Sequence, residues 1–125
     1  MTDVTPQVAA GTKLIQSYGP GRFAIDGVVY EGPVLVFADR VEAWNVTGFA
    51  SLTADSFAPV RAAIPTIEVV LLGCGPKQQF LPAHLRRGKQ ELGFVLDAME
   101  TGAACRTFNV LLTEDRRVCA ALLPV

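Results

Sequence analysis

Two segments of this sequence hold residue types that could do chemistry together. The first is Gly73-Cys74-Gly75, which ends the hydrophobic run of residues 67–72. The second is residues 101–109, where Thr101, Cys105, Arg106 and Asn109 fall within about three turns of a helix. A helix starting near Thr101 turns its unbonded N–H groups toward the glycine loop. Arg106 adds a cation, and the combination suits a small anion or carboxylate. The candidate pocket is therefore Gly73, Cys74, Gly75, Thr101, Cys105, Arg106 and Asn109. The plainer reading stands beside it: the glycines only make tight turns, and Arg106 pairs with an acidic neighbour.

Other chemistries find less support. Gly73-Cys74-Gly75-Pro76-Lys77-Gln78 lacks the third glycine of a dinucleotide loop and runs on before any helix. A helix start and Arg106 would both lower the Cys105 thiol pKa, but a nucleophile needs a base. The one histidine, His84, lies in a basic stretch. Cys74, Cys105 and His84 match no compact zinc spacing. No two carboxylates are spaced for acid/base work. No catalytic residue, cofactor or metal ligand is assigned. Arg86, Arg87 and Lys89 read first as a solvated basic face, and second as a dock for an acidic protein or membrane headgroups.

The elements that must position these residues come next. Residues 67–72 are short, β-branched and bounded by turn residues, which predicts a buried central strand. Leu81, Leu85 and Leu92 share one side of a second helix opened by Phe80-Leu81-Pro82 and closed by Gly93. Residues 94–99 form the next strand, so 67–99 is a βαβ unit with a right-handed crossover. Thr101 caps a third helix whose buried face is Ala104, Phe108 and Leu111. Pairing residues 108–112 with 118–122 as a hairpin is the alternative. Residues 117–123 are the last strand. A first helix, N-capped by Ser56 and stopped by Pro65, buries Phe57, Val60 and Ile64. Before it, residues 13–18, 22–26, 28–30, 34–37 and 41–46 are short strands at hairpin spacing.

Length and composition bound the whole. At 125 residues, half of them apolar and 18% charged, the chain makes one domain with a real core. Such a domain buries roughly 65% of its extended surface. Residues 1–12 are expected to be a flexible arm, and 13–125 a single domain. Eleven Lys and Arg face twelve Asp and Glu, for a net charge of -1, which does not favour nucleic acid. Three cysteines in no framework fit a reducing compartment, the cytoplasm. The N-terminus has no secretory pattern, and no apolar run reaches the roughly 20 residues of a membrane span.

Longer blocks carry a resemblance. Val70-Leu71-Leu72-Gly73-Cys74-Gly75, Phe80-Leu81-Pro82 with Leu85-Arg86, and Met99-Glu100-Thr101 resemble one small family. So do the run from Ala103 to Leu111, Arg116-Arg117-Val118 and Ala120-Ala121-Leu122. It is the MTH938-like family of single-domain proteins of unknown function, which includes the mitochondrial complex I assembly factor 3. The resemblance covers residues 12–124. It implies an α/β, three-layer single domain with a mainly parallel central sheet, a βαβ core in the C-terminal half and a β-rich N-terminal layer. Cys74 stands where the family often has threonine, and Glu100 where it often has aspartate.

The resemblance implies a non-catalytic interaction or assembly role with a protein partner, in peripheral contact with a membrane complex. The alternative is a small-molecule or anion-binding protein, acting through the pocket between Gly73-Cys74-Gly75 and residues 101–109.

Overall fold

A computed structural model describes residues 12–86 and 89–125. Among these residues eight strands form two sheets. The smaller is an antiparallel sheet of β1 (Ile15–Gly19), β2 (Arg22–Ile25) and β3 (Val28–Glu31). Its second turn is Asp26-Gly27, with φ of 49° and 79°. Two positive φ angles give the turn whose twist matches the flanking strands, and Asp-Gly is a sequence that tolerates it.

The larger sheet has the order β5-β4-β8-β6-β7. Its strands are β4 (Val34–Val36), β5 (Val41–Ala43), β6 (Val69–Gly73), β7 (Val95–Met99) and β8 (Val118–Leu122). β6 is parallel to both β7 and β8, whereas β4 is antiparallel to β8 and to β5. All strands but β4 thus point the same way, and the sheet is mainly parallel. The expected β-rich N-terminal layer divides: β1–β3 form the outer layer, and β4 and β5 join the main sheet. The expected centre also moves by one strand. β6 lies beside the middle strand, β8, whose five residues are all buried. Both runs are apolar on two faces, as strands covered on both sides must be; only the docking of β4 decides which is central.

Alternation along the strands sorts the core into two layers. Val70, Leu72, Cys119 and Ala121 face one side, where they meet Trp44, Leu52, Phe57, Val60, Leu85, Leu92 and Phe94. Leu71, Ala120 and Leu122 face the other, against Ile15, Phe23 and Ile25 of the small sheet and Ala104, Phe108 and Leu112 of a long helix. That helix, α3 (Thr101–Thr113), replaces the hairpin alternative. The small side chains of β8 let both layers approach closely.

The other two helices are shorter than the spacing predicts. Instead of a helix capped by Ser56, a 3-10 turn (Ala54–Phe57) leads into α1 (Ala58–Arg61). The entry is at Thr53, whose N–H donates to Ser56 Oγ at 3.0 Å while the Ser56 N–H donates to the Thr53 carbonyl. The tighter turn lets Pro59 sit in the first turn of α1, where its missing N–H costs nothing. Phe57 and Val60 are buried, but Ile64 lies beyond the helix and is exposed.

The crossover from β6 to β7 is not the continuous helix expected over residues 80–92. The Leu85 and Arg86 N–H groups close a turn on the Pro82 carbonyl, and α2 is one turn, Lys89–Leu92. Pro82, which has no N–H to donate, opposes a continuous helix through this stretch. Leu85 and Leu92 are nonetheless buried, so the apolar spacing is met without a long helix. Arg87 lies outside the described residues, as do residues 1–11 of the expected arm.

Candidate functional site

The parallel register sets Gly73 beside Met99 on one side and Leu122 on the other. The ends of β6, β7 and β8 therefore converge, and the glycine loop lies at the start of α3 as expected. Backbone bonds lace the three ends: Cys74 N–H to the Met99 carbonyl at 2.8 Å, Thr101 N–H to Gly75 at 2.9 Å, and Leu123 N–H to Gly73 at 3.0 Å.

Thr101 is the centre of this junction. The expected capping role falls to the backbone position of Glu100, and Thr101 is the first residue of α3. Its side chain is fully buried. Oγ1 donates to the Leu123 carbonyl at 2.6 Å and accepts the Gly75 N–H at 2.8 Å. One hydroxyl thus joins the loop after β6, the start of α3 and the end of β8. Gly73 fits because a Cβ there would lie 2.9 Å from Thr101 Oγ1 and 3.0 Å from Leu122 Cδ2. Thr101 Oγ1 and Leu122 Cδ2 thus occupy the space directly over Gly73.

The other candidates divide by direction. Cys74 is buried, its Sγ 3.8 Å from the Leu72 carbonyl, and burial raises its thiol pKa. Cys105 faces the layer beneath α3, where desolvation pushes its thiol up to about 12 against the opposing pull of Arg106. The lowering expected from the helix terminus and the cation is outweighed by burial. Cys119, in β8, is raised further by burial. All three thiols are free and buried.

Arg106 points outward, with 67% of its side chain exposed, and its Nη2 lies 3.5 Å from Glu100 Oε1. An exposed pair of that length contributes little. Asn109 faces β1: its Oδ1 accepts the Ile15 N–H at 2.9 Å, and its Nδ2 donates to the Ile15 carbonyl at 2.8 Å. The amide copies a neighbouring strand and fastens the small sheet to α3. Asn109→Ala is expected to cost about 2 kcal/mol, two net hydrogen bonds, and to speed amide exchange at Ile15. Exchange at Ile15 no faster than in wild type would contradict this.

His84 does not stand on a helix face; its Nε2 donates to the Leu52 carbonyl at 2.9 Å. A cavity of about 440 Å³ lies at the other end of the sheet, lined by Phe37, Arg40, Ile64, Pro65, Arg116 and Arg117 among others. Sequence reasoning did not place it, because its walls come from four separated segments. Arg40 lies 4.0 Å above the Phe37 ring and pairs with Glu42 and Asp39, and Arg116 pairs with Glu68 at 3.1 Å. Those arginines are compensated from within. Among the described residues no helix is long and apolar enough to cross a membrane.

The comparisons with known proteins agree with this architecture. A Rhodobacter capsulatus uncharacterised protein is 40% identical over 93% of this chain and 88% of its own length. The zebrafish (Danio rerio) NADH dehydrogenase (ubiquinone) 1 alpha subcomplex assembly factor 3 is 34% identical over 94% of this chain and 67% of its own length. The human protein of that name is also 34% identical, and the chain spans 63% of its length. Among solved structures, a Bordetella parapertussis protein superposes with a TM-score of 0.82 at 32% identity, over 94% of this chain and all of that one. A Bordetella pertussis protein described as an Mth938-like domain gives 0.77 at 26% identity, over 98% of this chain and 92% of that one. Residues 15–123 match the family described as protein of unknown function (DUF498/DUF598), and the chain belongs to that family.

Proposed function

We propose that this chain is a protein-binding assembly factor for a respiratory NADH dehydrogenase, acting through protein contacts rather than through a reaction of its own. The observation that carries this reading is the 34% identity to the zebrafish assembly factor, which extends over 94% of the chain. Its name describes assembly of a subcomplex, which requires contact with other proteins. The packing at the glycine loop is compatible with the reading, since Thr101 bonds Gly75 and Leu123, and the Leu123 N–H donates to the Gly73 carbonyl. Free, buried cysteines fit a reducing compartment, and we place the protein in the cytoplasm.

The test is deletion in the organism that makes this chain. Native electrophoresis is expected to show less full-size NADH dehydrogenase and an accumulated subassembly, both reversed by the restored gene. An affinity-tagged copy is expected to retain subunits of that subassembly. Normal levels of the full-size enzyme in the deletion strain would refute the proposal.

A further inference from the structure

The cavity of about 440 Å³ at the other end of the main sheet has the size that small ligands use, roughly 300–1,000 Å³. Its floor is the core itself. Ala63, Ile67 and Leu112 keep 7% exposure each, the most of any buried apolar side chain among the described residues, and all three line it. Ala63 and Ile67 belong to one core layer and Leu112 to the other, so the cavity opens where both layers end. Ile64, 86% exposed, stands on its wall as well. Apolar surface left open on floor and wall favours a ligand with an apolar body.

The charges around the cavity decide what else that ligand carries. Arg40 is taken by Glu42 at 2.7 Å and Asp39 at 3.0 Å, and Arg116 by Glu68 at 3.1 Å. Glu68 also accepts the Arg117 N–H at 3.2 Å, but the Arg117 guanidinium makes no ion pair among the described residues. Asp115 makes none either. It follows the end of α3, and the negative end of a helix disfavours a bare carboxylate and favours a cation. One guanidinium and one carboxylate are thus left over, and both line the cavity. The three arginines lie among Asp39, Glu42, Glu68 and Asp115, a balance that suits neither a plain anion nor a plain cation. Unpaired charges occur elsewhere, as at Arg22 on the wall of a cavity of about 180 Å³. That cavity is lined by no carboxylate and is smaller than ligand sites usually are.

We infer that the larger cavity binds a small zwitterion with an apolar side chain, the class of an aliphatic amino acid. The side chain lies on Ala63, Ile67 and Leu112, the carboxylate meets Arg117, and the ammonium meets Asp115. The planar fork of an arginine matches a carboxylate, which fits it to the first of these charges. Such a site goes beyond the assembly reading and lies at the other end of the sheet from Thr101, so either can stand without the other.

The full chain, isotopically labelled, is titrated with L-leucine and followed by its amide chemical shifts. Saturable shifts are expected at Ile64, Ile67, Leu112 and Val118, with a Kd of about 1 mM. Two analogues each lack one charge: isocaproate has no ammonium, and isoamylamine has no carboxylate. Each is expected to bind about tenfold more weakly than leucine. Arg117→Gln is expected to weaken leucine about tenfold and to leave isoamylamine unchanged. Asp115→Asn is expected to weaken leucine equally and to leave isocaproate unchanged; asparagine accepts the φ of 59° at that position. Arg22→Gln, at the smaller cavity, changes nothing. Matching circular dichroism establishes that each variant is folded. Absence of a saturable shift at about ten times that concentration, or binding indifferent to the Arg117 and Asp115 variants, overturns the inference. So does binding of either analogue as tight as that of leucine. Sedimentation in which two copies close this face on each other, with no leucine bound, overturns it in favour of a second copy.

Discussion

Replacing Thr101 with valine is expected to lower stability by roughly 2–5 kcal/mol with the shape of the side chain nearly kept. The substitution removes one oxygen and leaves two buried backbone groups without a partner, the Leu123 carbonyl and the Gly75 N–H. Each orphaned group costs about 1–3 kcal/mol, and water cannot replace the hydroxyl at a residue with no exposure. Thr101→Ser keeps both bonds and gives up only a methyl group, about 1 kcal/mol. Urea unfolding separates the two: the valine midpoint falls sharply at unchanged slope, and the serine midpoint moves little. Equal midpoints for the two variants would mean that the hydroxyl is not the joint described.

Phe57→Ala is expected to cost at least as much, about 3–5 kcal/mol. Phe57 is fully buried, with ring centroids 5.5 Å from Trp44 and 5.8 Å from Phe94, both tilted. Removing it opens a cavity under the main sheet and breaks two aromatic contacts of about 0.5–1.5 kcal/mol each. A domain of this kind has only about 5–15 kcal/mol in total, so the variant lies near the edge of folding. Phe57→Leu fills most of the space and is expected to remain folded. Trp44 reports locally, because its Nε1 donates to the Ser56 carbonyl beside the missing ring. Retention of the wild-type near-ultraviolet signal by the alanine variant would count against this packing.

What could be read in the sequence is what depends on near neighbours. β6 and α3 follow from a bounded apolar run and a 3.6-residue period, and both are present. Residue blocks from Val70 to Leu122 carried the family resemblance, which the match over residues 15–123 bears out. The second helix went wrong although its leucines are buried. Burial at Leu85 and Leu92 demands that those positions face the core, and a turn and a single helical turn satisfy that as well as a long helix does. Pro82 and Gly88 already opposed the longer element.

The candidate site shows the same division. That the loop and the start of α3 come together was legible from the parallel strands. That one hydroxyl ties them together was not, because the partners of Thr101 are 26 residues before it and 22 after it. A threonine before a helical pattern looks like a cap until those distant backbone groups are placed. Cys105 is a similar case: the sequence displays the helix start and Arg106, which lower a thiol pKa, but not the burial that raises it to about 12.

The position of β8 has a consequence for how the chain is made. The strand at the middle of the main sheet is the last in chain order. Synthesis proceeds from the N-terminus, so β4 and β6 emerge first and wait, each with an unpaired edge, for a strand between them. The small sheet and the β4–β5 pair are local and free to form early, whereas β4 and β6 are joined only when residues 118–122 arrive. During that interval the nascent chain exposes two apolar strand edges of the kind that invites mispairing. That interval is the stage of synthesis at which shielding by a chaperone is of most use.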